Sequence, residues 1–295
     1  MKKLIHILIS LMLYSSAMHL YAHEVEGSAT DVRYGGYERA LSGYRPSYFV
    51  IANENGNDEA HAEFSLSIKY PLFGGDGNST LFFAYTGDYD FYLFSRESSP
   101  VISRRQNPGL FYRYNWLSDS DQTVNAISIG WFHESNGQTI ETREEYDATE
   151  NAADYVSRGW DYLALGIESQ LFGVNSSLFV EAQLNIYCDC QAFGAMDSRE
   201  DDIFWKDVDE QPNVNDYNGI NFNVFYTIEK DTRFSVSLRT GNRDSDAVQN
   251  ISYRVDAVLP VFSLPVKFFY FNGYGVNIAT YHERGSYYGI GVDFW

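Results

Sequence analysis

The chain has 295 residues and a formal net charge of −19, with 40 acidic and 21 basic side chains. This charge argues against a nucleic-acid partner, because phosphate binding needs basic patches, and it fits a metal cation or a solvated acidic rim better. The 24 Tyr, 21 Phe and 5 Trp make the chain unusually aromatic, although its mean hydropathy of −0.33 is slightly polar.

The N-terminus has the pattern of a secretory signal peptide. Two lysines follow the first methionine and precede an apolar run over 4–13. This run is shorter than the roughly 20 apolar residues of a membrane-spanning helix. We therefore expect cleavage after Ala22, so that residues 1–22 are removed and the mature chain starts near His23.

Stretches of alternating apolar and polar residues recur along the rest of the chain. In the last one, Tyr288, Ile290, Val292 and Phe294 alternate with two glycines and an aspartate. Such strands, with many aromatic residues and a polar average, are typical of a transmembrane β-barrel. The predicted strands cover 45–53, 61–72, 79–91, 109–117, 123–135, 157–172, 174–187, 217–230, 231–241, 247–259, 263–272 and 284–295.

About twelve strands favour an all-β fold, a single transmembrane antiparallel β-barrel domain over 23–295 with an irregular N-terminal segment, because single-chain barrels usually have even strand numbers. A secreted soluble β-sandwich is the alternative, since its strands also alternate. Tight connections at 173 and 229–231 indicate the periplasmic end. The long connections, which we expect outside the cell, are 92–108, 136–156, 188–216 and 273–283.

Two of the long connections, 136–156 and 188–216, are rich in acidic side chains. They fit either solvated, disordered loops or a surface that collects divalent cations, and neither has the ligand spacing of an EF-hand. Cys188 and Cys190 are the two cysteines, and a bridge between residues so close in sequence closes a strained ring. The sequence does not decide between a disulfide within this loop and two free thiols, and we assign the pair no function.

Polar side chains with catalytic potential lie at the end of one apolar strand face. Because side chains alternate along a strand, the face that carries Ile127 and Ile129 continues into His133 and Ser135. On the next predicted strand, Asp161 continues a second apolar face in the same way. A hydroxyl, an imidazole and a carboxylate are therefore predicted at the polar end of two lipid-facing stripes.

These three residues are a candidate hydrolytic site. His133 can act as general base for Ser135, because a serine hydroxyl needs such a base to become nucleophilic. Asp161 is the candidate third member, since consecutive antiparallel strands place it beside His133, where a carboxylate holds the imidazole. Gly137 follows in a turn and is the candidate donor of an oxyanion-binding N–H. A His-x-Ser match alone is weak evidence for a catalytic site. The position of Asp161 on the same face strengthens it.

Four motifs carry a family resemblance. They are His133-Glu-Ser-Asn-Gly137, Ser157-Arg-Gly-Trp160, Glu97-Ser-Ser-Pro100 followed by Pro108 and Leu110-Phe111, and Lys69-Tyr-Pro-Leu-Phe73. Together they lie within residues 69–160. In this combination and order the chain resembles outer-membrane phospholipase A, a calcium-dependent barrel lipase family of the Gram-negative outer membrane.

The resemblance implies a twelve-stranded barrel with its active site on the outer surface, at the boundary of the outer leaflet. It also implies hydrolysis of acyl esters of phospholipids and lysophospholipids by a calcium-bound homodimer. By residue match, His133 is the base, Ser135 the nucleophile and Gly137 the oxyanion donor. The matching Ca²⁺ ligands are Ser157, the backbone carbonyl of Gln138, and Ser98 of the other subunit.

The chain departs from the family pattern at three places. Asp161 stands where asparagine is usual, the connection after Gln138 is longer than expected, and Gly87-Asp88 replace a glutamine that supports the dimer in some members. Two alternatives remain: a non-catalytic porin or channel, which the barrel alone allows, and a lipid A deacylase, whose barrel also carries a His-x-Ser pair. The chain length and Glu97-Ser-Ser-Pro100 favour the phospholipase over the deacylase.

Overall fold

The computed structural model describes residues 41–54, 60–74, 78–93, 101–117, 124–171, 176–188, 219–228, 232–240, 251–281 and 283–294. The strands in these ranges are β1 (Ser42–Gly43), β2 (Tyr48–Glu54), β3 (Ala60–Gly74), β4 (Ser79–Phe91), β5 (Val101–Leu117), β6 (Val124–Ser135), β7 (Gly159–Leu171), β8 (Ser176–Cys188), β9 (Gly219–Ile228), β10 (Thr232–Arg239), β11 (Ser252–Val261), β12 (Leu264–Tyr274) and β13 (Arg284–Asp293). A short helix, α1 (Arg143–Ala148), and a 3₁₀ turn (Ala152–Tyr155) lie between β6 and β7. The predicted signal peptide, Ser98 and Cys190 lie outside the described ranges.

The strands form one closed antiparallel barrel. Consecutive strands from β2 to β13 are hydrogen-bonded to each other, and β13 pairs with β2 to close the sheet. The wall therefore has twelve strands, and the predicted all-β barrel is confirmed. The short β1 pairs with β3 beyond the end of β2, where Ser42 faces Lys69. Closure leaves the wall without an unpaired edge, which a bilayer requires.

The start of β5 differs from the prediction. The strand predicted over 109–117 begins at Val101, so the assignment of 101–108 to a connection was wrong. Pro108 has no backbone N–H to give to the ladder, which makes proline unusual inside a sheet. The buried side chain of Asn107 supplies a donor instead, because its Nδ2 donates to the backbone carbonyl of His133 at 2.9 Å. The strand therefore continues through the proline.

The two faces of the barrel wall differ in polarity. On β6, Ile127 and Ile129 are 49% and 50% exposed on the outer face, whereas Phe132 is 1% exposed on the lumen side. On β7, Ile167 is 54% exposed on the outer face. Such an apolar outer band is the surface by which a transmembrane barrel contacts lipid. Among the described residues, no helix combines the length and the apolar character needed to cross a bilayer.

Packed side chains occupy the lumen in the described part of the chain. The rings of Phe132 and Tyr162 stack with centroids 5.4 Å apart, and Phe111 stacks on Phe132 at 6.3 Å. On other strands, the Lys267 ammonium is 2.7 Å from a carboxylate oxygen of Asp256. Aromatic packing and buried ion pairs thus take the place that water has in a wide channel.

The connection between β12 and β13 adds to this filling. Ile278 and Ala279 in its middle are 1% and 2% exposed. Arg158 Nε donates to the backbone carbonyl of Ala279 at 3.0 Å, and Arg105 donates to the carbonyl of Gly275. The long connection predicted over 273–283 is thus present, and Ile278 and Ala279 within it are buried.

Because packed side chains occupy the lumen in the described part of the barrel, we expect the purified protein to form no stable channel. In a planar bilayer, it should give no steady conductance steps above the detergent background, whereas a general porin prepared in the same way should give them. Ions cross a barrel through a continuous water-lined path, because moving an ion out of water into a packed interior costs much free energy. Regular ohmic steps that scale with protein concentration would contradict this result and favour the channel alternative.

Candidate active site

His133 and Asp161 are in direct contact, as predicted from strand order. They face each other across the β6–β7 ladder, and His133 Nδ1 lies 2.8 Å from Asp161 Oδ1. The Asp161 side chain is 4% exposed and that of His133 is 21% exposed. Because a carboxylate oxygen accepts, this contact favours the form of the imidazole ring that has its proton on Nδ1 and its lone pair on Nε2. This is the tautomer that a general base for a serine needs.

Ser135 is the last residue of β6 and lies on the same outer face as His133. Residues two apart on one strand face have Cα atoms roughly 6.5 Å apart, so their side chains are neighbours. In the described part of the chain, the imidazole is hydrogen-bonded to Asp161 and no hydrogen bond joins it to Ser135. The bond between a base and its nucleophile is often long until substrate binds.

The turn after Ser135 is held by Asn136, which is 1% exposed. Its Nδ2 donates to the carbonyl of Val156 at 2.7 Å, and its Oδ1 accepts from the backbone N–H of Arg158 at 2.9 Å. Gly137 follows with a left-handed φ of 55°, exposed, and with open space where a Cβ would stand. The backbone of Gly137 is therefore fixed beside the serine and accessible from outside.

Gln138 and Ser157, two of the predicted calcium ligands, lie on segments that run side by side. The segments are joined on one side by a backbone hydrogen bond from Asn136 to Arg158 at 3.1 Å, and on the other by one from Ser157 to Ile140 at 2.8 Å. The segment that connects α1 to β7 therefore lies next to the turn that contains Gly137. The third predicted ligand lies outside the described residues.

The strands of the site are also joined from the lumen side. Asn107 Oδ1 accepts from the hydroxyl of Tyr162 at 3.1 Å, while its Nδ2 holds the His133 carbonyl. Tyr162 directly follows Asp161, so one buried amide connects the strand of the imidazole with the strand of the carboxylate. Such supporting contacts keep a catalytic group in one orientation.

The connection between β6 and β7 is ordered around α1. Thr142 caps the helix in a capping box with Glu145. Backbone N–H groups of Glu141 and Thr142 hydrogen-bond the Glu145 carboxylate and lower its pKa. Of the six acidic side chains of 136–156, Glu144, Glu145 and Asp147 therefore lie on an exposed helix. The sequence pattern Thr-x-x-Glu was the signal for this helix.

Another group of possible metal ligands lies on β3 and β4. Among the described residues, His61, Glu63 and Asp90 bring their ligand atoms within 4.8 Å of one another. The Glu63 carboxylate already accepts from the Tyr48 hydroxyl and lies 3.6 Å from a guanidinium nitrogen of Arg254. The Glu63 carboxylate thus already has a hydrogen-bond donor and a positively charged partner, and we assign no ion to the group.

Comparison with known proteins identifies the family. A family model described as phospholipase A1 matches residues 44–294. The chain belongs to the phospholipase A1 family. The resemblance drawn from the four sequence motifs is thereby confirmed. No curated protein matches the chain.

Solved structures of outer-membrane phospholipases have the same fold as this phospholipase A1 family member. The enzyme from Salmonella typhi, a dimer with bound calcium, is 19% identical with a TM-score of 0.64, over 88% of this chain and 93% of that one. Outer membrane phospholipase A from Escherichia coli is 18% identical with a TM-score of 0.63, over 87% of this chain and 92% of that one. At these identities the likeness establishes the barrel fold.

Sequence reasoning missed two residues of the site. The sequence pattern predicts only a turn for Asn136, before Gly137, and a connection for Asn107. Asn-Gly is a turn signal, and asparagine side chains often bond to nearby backbone. The partners of both amides lie on segments distant in sequence, so their role depends on how the barrel closes.

Proposed function

We propose that this member of the phospholipase A1 family is an outer-membrane serine esterase that hydrolyses acyl esters of phospholipids and lysophospholipids. The observation that carries the proposal is the 2.8 Å contact between His133 and Asp161, beside Ser135 on the outer face of the barrel. Polar groups on a lipid-facing surface cost free energy, and a catalytic role accounts for three of them in one place. The packed lumen weighs against the porin alternative.

In the first half of the proposed reaction, the Ser135 hydroxyl attacks the acyl carbonyl. His133 Nε2 takes the hydroxyl proton, and Asp161 stabilises the imidazolium that forms. The carbonyl oxygen becomes negative, and the exposed N–H of Gly137 donates to it. When the tetrahedral intermediate collapses, the ester C–O bond breaks, and His133 returns the proton to the leaving lysophospholipid oxygen.

In the second half, water hydrolyses the acyl-serine ester. His133 takes a proton from the water, whose oxygen attacks the acyl carbonyl, and then returns the proton to Ser135. Free fatty acid leaves and the serine is regenerated. Because these side chains are on the outer face, the ester reaches them sideways from the lipid layer and needs no passage through the lumen.

Calcium fits the oxygen donors beside this site. Ser157 offers a hydroxyl and Gln138 a backbone carbonyl, both of the hard-oxygen type that Ca²⁺ prefers. Their segments are held side by side next to Gly137. When bound, a cation there supplies positive charge near the developing oxyanion. Ser98 of a second subunit is the further ligand that the family resemblance implies.

We place the long connections, and with them the active site, toward the outer leaflet. His133 and Ser135 lie at the end of β6 that leads into the long connection 136–158. Barrels of this kind have their long connections on the cell exterior. We also propose a calcium-dependent homodimer as the active form, by analogy with the calcium-bound Salmonella typhi dimer.

Serine labelling and calcium dependence test the proposed function together. A sulfonyl fluoride with a long alkyl chain should inactivate the purified protein, and mass spectrometry should place the adduct on Ser135. Chelation of calcium should lower fatty-acid release from phospholipid by roughly tenfold or more, because an ion that supports the oxyanion is removed. Added Ca²⁺ should restore it. Labelling at another residue with full loss of activity would refute the assignment.

A further inference from the structure

Arg104 stands on the outer face of β5, beside the candidate nucleophile. The register with β4 is continuous from Arg104 to Tyr112, so residues of even number in this stretch face outward, as the exposed Leu110 and Tyr112 do. Gln106 pairs with Ser135 in the β5–β6 register. Arg104 lies two residues farther along the same face, toward the long connections. Along the barrel wall, Arg104 therefore lies closer than Ser135 to the long connections.

The position of Arg104 along the barrel wall matches the structure of a phospholipid. With acyl chains along the outer face at Ile127 and Ile129 and an ester at Ser135, the headgroup points toward the long connections. Two strand residues span roughly 6.5 Å. The phosphodiester is bonded to a glycerol carbon adjacent to an ester-bearing carbon, so it lies a few ångströms outward of the ester. Arg104 is therefore level with the phosphate.

The charge of Arg104 is not matched by an acid in the described part of the chain. Its Nη2 donates to the neutral Oε1 of Gln138 at 2.8 Å, and its buried Nε has no hydrogen-bond partner there. The next residue, Arg105, differs, because it pairs with Glu134 at 2.9 Å and with Asp88 at 3.8 Å. Among the described residues of this acidic chain, Arg104 is therefore a cation without an acidic partner, and an anion can bind to it.

We propose that Arg104 binds the phosphodiester of the phospholipid whose ester lies at Ser135. This inference rests on the proposed function and adds a source of substrate preference to it. The guanidinium offers several N–H donors in one plane, which suits phosphate oxygens. The contact to Gln138 orients the side chain beside the turn of Gly137. The site therefore prefers phospholipids to uncharged acylglycerols with the same acyl chains.

The test compares two substrates that differ in the phosphate. Hydrolysis of phosphatidylcholine and of diacylglycerol with identical chains is measured in neutral detergent micelles at one saturating Ca²⁺ concentration. Arg104→Gln should raise KM for phosphatidylcholine about tenfold, the effect typical of losing a charged hydrogen bond. Diacylglycerol hydrolysis should stay within about twofold of wild type, since no phosphate is present.

Two further variants make the result specific. Arg143→Gln makes the same charge change on the exposed helix α1 and should leave both substrates unaffected. Arg104→Lys keeps a charge without the planar fork, so KM for phosphatidylcholine should rise less than in Arg104→Gln. This variant also supplies the test if Arg104→Gln does not show the heat-modifiable gel migration of a folded barrel.

The outcomes separate the two proposals. An unchanged substrate ratio in folded Arg104 variants, with an active wild type, overturns the phosphate contact alone. An equal loss on both substrates means that Arg104 acts on the fold or the chemistry and also overturns it. A matching shift in Arg143→Gln would assign the effect to long-range charge. A wild type inactive on every ester overturns the proposed function and the phosphate contact with it.

Discussion

Ser135→Ala should abolish the release of fatty acid from phospholipid while the barrel still folds. Alanine lacks the hydroxyl that attacks the ester, and kcat should fall by roughly 10⁴-fold or more, as in other enzymes that lose a nucleophile. The position is the last of β6 and partly exposed, so little packing is lost. The measurement is the initial rate of hydrolysis by purified protein in detergent, with heat-modifiable gel migration as the folding check.

Ser128→Ala is the matched control for this result. Ser128 lies on the same strand but on the opposite face from Ser135, by the alternation of side chains. Its replacement removes the same hydroxyl from β6 without touching the proposed chemistry, and activity should remain within about twofold, as for substitutions away from a functional contact. Hydrolysis retained in Ser135→Ala at a rate close to that of Ser128→Ala would end the serine mechanism.

Asp161→Ala should lower kcat by roughly 10²- to 10⁴-fold, because the imidazole loses the group that holds its tautomer and stabilises its charged form. Asp161→Asn should remain active, within roughly tenfold of wild type, since its Oδ1 can still accept from His133 Nδ1. The family usually has asparagine at this position. Steady-state kinetics of both variants on one phospholipid, after the same folding check, gives the comparison.

Asp256→Asn provides the control for loss of a buried carboxylate. Asp256 is 6% exposed and pairs with Lys267 and Arg254 rather than with His133. This variant should unfold at a lower temperature, because two cations lose a charged partner, but the folded protein should keep its kcat. If Asp161→Asn is as inactive as Asp161→Ala, the chain depends on the carboxylate charge and departs from its family in mechanism.

The candidate site shows why some features were predictable. Alternation is local, so the shared face of His133 and Ser135 could be read directly from β6. Consecutive strands of such a barrel are antiparallel neighbours, so Asp161 had to pass close to His133, and the 2.8 Å contact agrees with that prediction. The Asn-Gly pair predicted a turn at Gly137, and this glycine has the positive φ that such turns use.

Other features depended on contacts between distant segments. Where β5 continues through Pro108, the Asn107 amide donates to the backbone carbonyl of His133 on another strand. The carbonyl of the buried Ala279 accepts a hydrogen bond from Arg158, 121 residues away in sequence. No local pattern shows that such partners will meet, because their contact follows from the register and closure of the whole sheet.

The sequence by itself determined the class of fold, the outward stripe and its three polar residues, since alternation and strand order are properties of neighbouring residues. Only the tertiary structure decided that the lumen is packed and that Asn136 fastens the turn. The tertiary structure also shows that Arg104 lies closer than Ser135 to the long connections and has no acidic partner among the described residues. These features arise where the closed barrel brings together segments that no short-range pattern connects.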